Sequence, residues 1–440
     1  MRKQIGQRQN APFQGERIAV TGAGIVSALG QSVPAVWDAL LAGAHGIDRI
    51  VGFDPGGFDC QQAAQAPDLN PQELGIHSKD ARIMDKLAHM LIKCGLDAIR
   101  ESGLHETSLP REEIGMFVGI GMVDYEVKDL LPAVLKSIDA EDRIDYDAFY
   151  SAGYQEIYPL WPLSMLNNIT CCLAAIHLDI RGENAVFSPD ADAGAEAIAE
   201  GGKTLLAEKA RAVIVGGVSE KVSPMSLARA HLNHILNTTD QAKEKRCRPF
   251  SKHRKGTILG EGCGIMVLEP YSSAIERGIS PMALISGYGS ACEVDESGPG
   301  PTPGSIAYAM KEAVRNAELA PADIDVIIAH GDGTYSGDKN EIEAIHGVFA
   351  TVVDRINVYS SKGALGNLLS GSPAVDAVLA VRMLQSGIIP PTIHCAPKES
   401  HIRFNIVQKR PLQAYPKRIL INSQSYQGRC ASLVLESCSN

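Results

Sequence analysis

The stretch NAVFSPDADAG, residues 184–194, passes from an apolar strand through a proline–acid turn into small residues that open a helix extending to 208. INVYSSKGALGN, residues 356–367, has the same order: a β-branched strand, a polar turn, then a helical pattern at 373–386. Outward from these two turns the chain repeats itself. ALISGYGSA at 283–291 resembles IAVTGAGIV at 18–26, and IDVIIAHGDGT at 324–334 takes the place of IGMFVGIG at 114–121. Further apolar runs fall at 210–217 and 263–270, and helical patterns at 34–43, 80–102 and 305–318. Short apolar runs alternating with segments of helical period argue for an α/β protein with buried sheets. A repeat of this kind predicts two similar halves whose loops, at matching strand ends, surround one shared cleft. The reading places a polar tail at 1–16, one half at 17–270 and the other at 271–440, divided near the charged segment SSAIERG.

Composition narrows the function classes. The chain has 440 residues, 45% of them apolar and 21% charged, which suits a protein with a large core. A formal net charge of −10 speaks against non-specific nucleic-acid binding and against an anionic membrane surface. The polar start MRKQIGQRQNAPFQGER has no apolar signal-peptide core, and no run of 18 apolar residues occurs, so neither a signal peptide nor a membrane span is expected. Ten scattered cysteines without a CxxC pair fit a reduced, cytoplasmic protein without a metal site. The Gly-rich turn GAG…LG within 22–30 does not have the spacing of a dinucleotide fingerprint, and no cofactor is expected.

Four further segments carry a specific resemblance. RPFSKHRKGTILGEGCGIMVLE (248–269), AHGDGTYSGDKNEIEA (329–344), SSKGALGNLLSGSPAVDA (360–377) and NSQSYQGRCASLVLE (422–436) are similar, in order and spacing, to motifs of the β-ketoacyl-acyl-carrier-protein synthases of the elongating type. The resemblance runs from about residue 17 to the C-terminus. It implies a thiolase-like fold: two duplicated α/β halves with mixed five-stranded sheets in an α-β-α-β-α layering. It also implies acyl chains presented on the phosphopantetheine arm of an acyl carrier protein.

In that family a cysteine in the form T-A-C-x-x-G opens a buried helix, where the helix dipole and free N–H groups favour a thiolate and hold an oxyanion. With Gly194 fixing the register, the cysteine position here is Ala191, whose methyl group cannot accept an acyl chain. Asp190 and Asp192 flank it. Carboxylates there would raise the pKa of any thiol, while the residue type favours a plainer role, capping of the helix N-terminus by both acids. His330 and Lys362 match the family histidine and lysine, and Asn367 stands at the second histidine. In the family these groups polarise a malonyl thioester for decarboxylation, and an Asn amide can still donate to a carbonyl. His330 has an alternative reading as a satisfied core residue. Tyr426 falls at the family's gating aromatic, with Ser425 and Gln427 replacing flanking glycines, which points to a fixed loop; plain core packing of Tyr426 is the alternative.

The resemblance is nearest to the chain-length factor of type II polyketide synthases. That subunit lacks the cysteine, forms a heterodimer with a catalytic ketosynthase and shapes its elongation tunnel. Glutamine usually replaces the cysteine there, whereas here it is alanine. A malonyl-carrier-protein decarboxylase is the second reading. An active synthase using another nucleophile, with Ser188 the one hydroxyl on offer, is the third. The basic run 243–255, with Lys252 and His253, is expected to be a solvated surface or a contact for an acidic carrier protein.

Overall fold

The computed structural model describes residues 15–438 except 123, 125–126, 189, 240–245 and 294–299. Most of the expected N-terminal tail and the start of the basic run therefore lie outside the described residues. The strands that matter are β1 (Ile18–Ser27), β2 (Ile114–Ile120), β3 (Asn184–Phe187), β4 (Ala212–Val218) and β5 (Gly262–Pro270), then β6 (Ala283–Cys292), β7 (Val326–Ile328), β8 (Asn357–Tyr359), β9 (Arg418–Gln424) and β10 (Arg429–Glu436).

The first five are ordered β3-β2-β4-β5-β1 and the second five β8-β7-β9-β10-β6, with a two-residue strand, Asn405–Ile406, outside β8. Numbering each set from one gives the same order twice, third-second-fourth-fifth-first. The senses also match: β2 is parallel to β3 and β4, as β7 is to β8 and β9, and the other neighbours within each set of five are antiparallel. The duplication expected from weak sequence similarity is thus present in the topology. The two sheets meet along a seam of three residue pairs between β1 and β6, Ile18–Ile285, Ala19–Leu284 and Val20–Ala283.

Successive strand residues face opposite sides, and the core divides accordingly. On β4, Val213 and Val215 join the central cluster, while Ala212, Ile214 and Val218 join an outer one with helices α1 (Lys86–Glu101) and α2 (Asn167–His177). On β9, Ile419 and Ile421 face the centre, while Leu420 faces helices α4 (Pro303–Asn316) and α5 (Tyr335–Val348). Between the sheets lie α3 (Ala193–Leu206) and α6 (Ser372–Ser386). The layers are therefore helix, sheet, helix, sheet, helix.

Small residues let the two central helices approach closely. A Cβ on Gly194 would lie 2.5 Å from the Ser370 carbonyl oxygen and 3.0 Å from Pro373 Cγ, so only glycine permits this contact between the start of α3 and the start of α6. Among the described residues no helix is long and apolar enough to cross a membrane.

Candidate functional site

The predicted site residues lie on matching loops. Ala191 sits between β3 and α3, His330 after β7, Lys362 after β8, Asn367 before α6, and Tyr426 in the turn joining β9 to β10. Loops beyond the C-terminal ends of parallel strands are where such folds place ligands.

A chain of hydrogen bonds joins most of these loops. Tyr426 Oη donates to Asp332 Oδ2 at 2.6 Å and accepts from Asn367 Nδ2 at 2.8 Å. The other side of the Asn367 amide is also engaged, because Oδ1 accepts from Leu369 N at 3.0 Å and Ser372 Oγ at 3.3 Å. Burial and the Asp332 carboxylate push the Tyr426 hydroxyl well above the usual phenol range, so it stays protonated and able to donate. Lys362 is buried and holds Asp376 Oδ2 at 2.5 Å, while Ser361 donates to the other oxygen at 2.6 Å.

His330 stands differently. It is 2% exposed and neither ring nitrogen has a hydrogen-bond partner. Its Nε2 lies 3.8 Å from Asp332 Oδ2. Burial, opposed by Asp332 and reinforced by Lys362, lowers its pKa to about 4, so the ring is neutral at pH 7. Its backbone is tightly placed: the N–H groups of His330 and Gly331 donate to the two oxygens of Glu341, each at 2.8 Å, and Asn422 Nδ2 donates to the same carboxylate at 2.6 Å.

The turn at Ala191 departs from the capping expected of its two acids. Asp192 occupies the N-cap position of α3 with helical torsions, φ −81° and ψ −24°, and makes no capping hydrogen bond. A side-chain cap needs an extended cap residue, so that expectation is corrected. Both acids instead cross to the β9–β10 turn. Asp190 Oδ2 accepts from Ser425 Oγ at 2.7 Å and Tyr426 N at 2.9 Å, while Oδ1 accepts from Ala191 N at 2.7 Å. Asp192 Oδ2 lies 3.2 Å from Arg429 Nε. Burial raises the Asp192 pKa to about 6 against the pull of Arg429, and burial likewise raises that of Asp190 against three donors.

The closing turn is held along its length. Ser425 N donates to Arg429 O at 2.8 Å, Gln427 N to Ser425 Oγ at 3.1 Å, Gly428 N to Ser425 O at 3.1 Å and Gly300 N to Tyr426 O at 3.1 Å. Tyr426 also packs against an apolar cluster that includes Leu259 and Leu236.

Other candidates lie apart. Ser188 accepts from Asn167 Nδ2. Lys252 and His253 are exposed, whereas Arg254 beside them is buried and paired with Glu399 at 2.6 Å. Among nearby thiols, Cys247 donates to Asp332 O at 3.1 Å with its pKa pushed up by burial, and burial pushes Cys430 up to about 12. Neither is a ready nucleophile. Asp332, Asp376 and Arg429 were not among the residues singled out in the sequence. Asp332 had a signal, since it stands where the family's H-G-T-x-T pattern has its first threonine. With an inert methyl at the helix start, Asn367, Lys362 and Tyr426 are already hydrogen-bonded to neighbours, and of the predicted polar site residues His330 alone is unpartnered.

Comparison with known proteins gives these positions a family. Residues 15–274 match the model of the β-ketoacyl synthase N-terminal domain and residues 282–396 that of its C-terminal domain. The 3-oxoacyl-[acyl-carrier-protein] synthase 2 of Staphylococcus aureus (strain COL) is 27% identical over 424 residues, 96% of this chain and 99% of that protein. A solved structure of the ishigamide ketosynthase/chain length factor superposes with a TM-score of 0.82 at 26% identity, over 96% of this chain and 99% of that one. A structure of a type II PKS acyl-carrier protein in complex with its ketosynthase bound to the hexaketide shares the fold, with a TM-score of 0.80 at 20% identity over 96% and 100% of the two chains. Both domain matches, together with the duplicated topology and the loops that converge on Ala191, establish that the chain belongs to the β-ketoacyl synthase family.

Proposed function

We propose that this chain is a non-condensing ketosynthase subunit, a chain-length factor, that pairs with a catalytic ketosynthase in type II polyketide or polyene biosynthesis and shapes the elongation tunnel. The observation that carries the reading is Ala191, fully buried at the start of α3 with no thiol or activated hydroxyl to replace it. Without a nucleophile no acyl-enzyme forms, and condensation has no first step. Acyl chains would come on the phosphopantetheine arm of an acyl carrier protein, which the partner subunit would engage.

An exposed apolar flank supports a partner. Leu135, Tyr146, Tyr150, Tyr158, Leu160 and Ile176 are each between 47% and 76% exposed, a density of large apolar groups that marks interaction surfaces. A cavity of about 980 Å³ opens beside Met122, itself exposed, between Phe53 and Met225. None of those six side chains lines the cavity, nor do Ala191, His330, Asn367 or Tyr426. Co-expression with a ketosynthase that retains its cysteine should yield a 1:1 heterodimer and raise the soluble yield. A stable, fully active homodimer of this chain alone would sink the reading.

A second reading, malonyl-carrier-protein decarboxylase, has one observation in its favour: His330 is neutral, buried and without a partner. Decarboxylation needs carbonyl polarisation and no thiolate. Against it, Asn367 is committed to Tyr426 and Lys362 to Asp376. Carbon dioxide release from malonyl-carrier protein that exceeds the blank and disappears in His330→Ala would favour this reading over the first.

A further inference from the structure

Two main-chain N–H groups from opposite halves of the chain converge beside Ala191. One belongs to Ala191 itself, the other to Tyr426, and both end on a single carboxylate: Ala191 N on Oδ1 of Asp190 at 2.7 Å and Tyr426 N on Oδ2 at 2.9 Å. Ser425 Oγ adds a third donor at 2.7 Å. Asp190 is 8% exposed, so this is an interior arrangement and not a surface contact. Paired backbone donors in a dry site, one of them at a helix start, are the arrangement that stabilises a developing oxyanion. Here an anion of the protein's own sequence already fills it.

We propose that Asp190 is an internal occupant of this anion hole. Its carboxylate takes the two N–H groups that a thioester oxygen would face, and it fastens the closing turn through Ser425 and Tyr426. The site is thereby blocked twice, by the missing nucleophile at Ala191 and by a filled hole. The Tyr426 hydroxyl extends the block, because it takes the Asn367 amide that would otherwise be a further donor to a carbonyl. Asp192 reinforces it from the other side by holding Arg429 at the far end of the same turn. The inference rests on the reading of the chain as non-condensing, and it adds that restoring a thiol would not by itself restore acyl transfer.

The chemistry of the test is a single exchange. An introduced thiolate at position 191 attacks the carbonyl carbon of a thioester donor. One C–S bond forms, the donor's C–S bond breaks, and the departing thiolate takes up the proton that the introduced thiol gave up. In the tetrahedral intermediate the carbonyl oxygen carries the negative charge and needs the hole.

The full chain would be prepared as Ala191→Cys and as Ala191→Cys combined with Asp190→Ala, with folding of each checked by circular dichroism. Butyryl-N-acetylcysteamine is the acyl donor, and intact-protein mass reports the adduct, with the wild-type chain setting the background from its native cysteines. The double variant should acylate at least about tenfold faster than the single one, a lower bound on the effect of an oxyanion-hole donor. Equal rates, including no adduct in either, would overturn the proposal. Asp190→Asn provides a second measure on a nearly isosteric chain: hydrogen exchange at the Tyr426 amide should speed up by about an order of magnitude, and unchanged protection would also overturn it. A stoichiometric acyl adduct on the wild-type chain, mapped by peptide to the Ser188–Gly194 turn and not to a native cysteine, would instead count against the non-condensing function itself, so the two failures are distinguishable.

Discussion

The turns after β3 and after β8 occupy the same place in the two halves, yet they are satisfied in different ways. In the second half, Lys362 and Ser361 close on Asp376, fourteen and fifteen residues along the chain in the adjoining helix α6. The side chains of Lys362 and Ser361 are thus satisfied within their own half. In the first half, Asp190 and Asp192 find their partners 235 to 237 residues away, on the β9–β10 turn of the other half. Lys362 in the locally paired turn matches the family, whereas the first-half turn has acids that bind the two halves together in place of a nucleophile and small neighbours. This turn is a joint between the halves.

Breaking the locally completed turn should have the largest effect. Asp376→Ala leaves the Lys362 ammonium buried and unpaired, with an expected loss of about 3–5 kcal/mol in urea unfolding. A loss below about 1 kcal/mol would mean that water reaches this turn and that the contrast with the first half is false.

His330 gives the next effect, through pH. Its folded pKa is about 4 against 6.5 for the free side chain. A depressed histidine contributes stability that is fully present above 6.5 and lost as pH falls toward 4, by at most about 3 kcal/mol. Asp332 and Lys362 are the charged groups that act on it from their own loops. The wild type should therefore lose more stability between pH 6.5 and 4 than His330→Gln. Parallel melting curves for the two chains across that window would show that His330 is already charged or paired.

The joint itself predicts a smaller effect. Arg429→Ala leaves the buried Asp192 carboxylate without its cation, at a cost of about 1–3 kcal/mol. Adding Asp192→Asn should recover part of that loss, a coupling that a double-mutant cycle measures directly. Additive losses would show that the two side chains do not communicate.

Much of this molecule was legible in the sequence. Short apolar runs marked the strands of both halves, and the order of motifs placed Ala191, His330, Lys362, Asn367 and Tyr426 on converging loops. Local pattern could not give the partners of Asp190 and Asp192. Capping is a property of neighbouring residues, and an acid before a helix suggests it by default. The actual partners are set by how α3 and the β9–β10 turn pack together. Asp332 was overlooked for a related reason: its neighbours His330 and Gly331 match the family, and its own departure from threonine matters only once Tyr426 is seen to donate to it. The exposed apolar residues around Tyr146–Leu160 carried no motif at all, because exposure is defined by what remains uncovered after folding.

The central claim, that no acyl-enzyme forms on this chain, is tested most directly by the intact mass of the purified wild-type protein after incubation with acyl- and malonyl-carrier protein. The account predicts an unchanged mass, both alone and alongside a catalytic ketosynthase that becomes acylated in the same mixture. A stoichiometric acyl adduct on this chain, mapped by peptide to the Ser188–Gly194 turn, would contradict it.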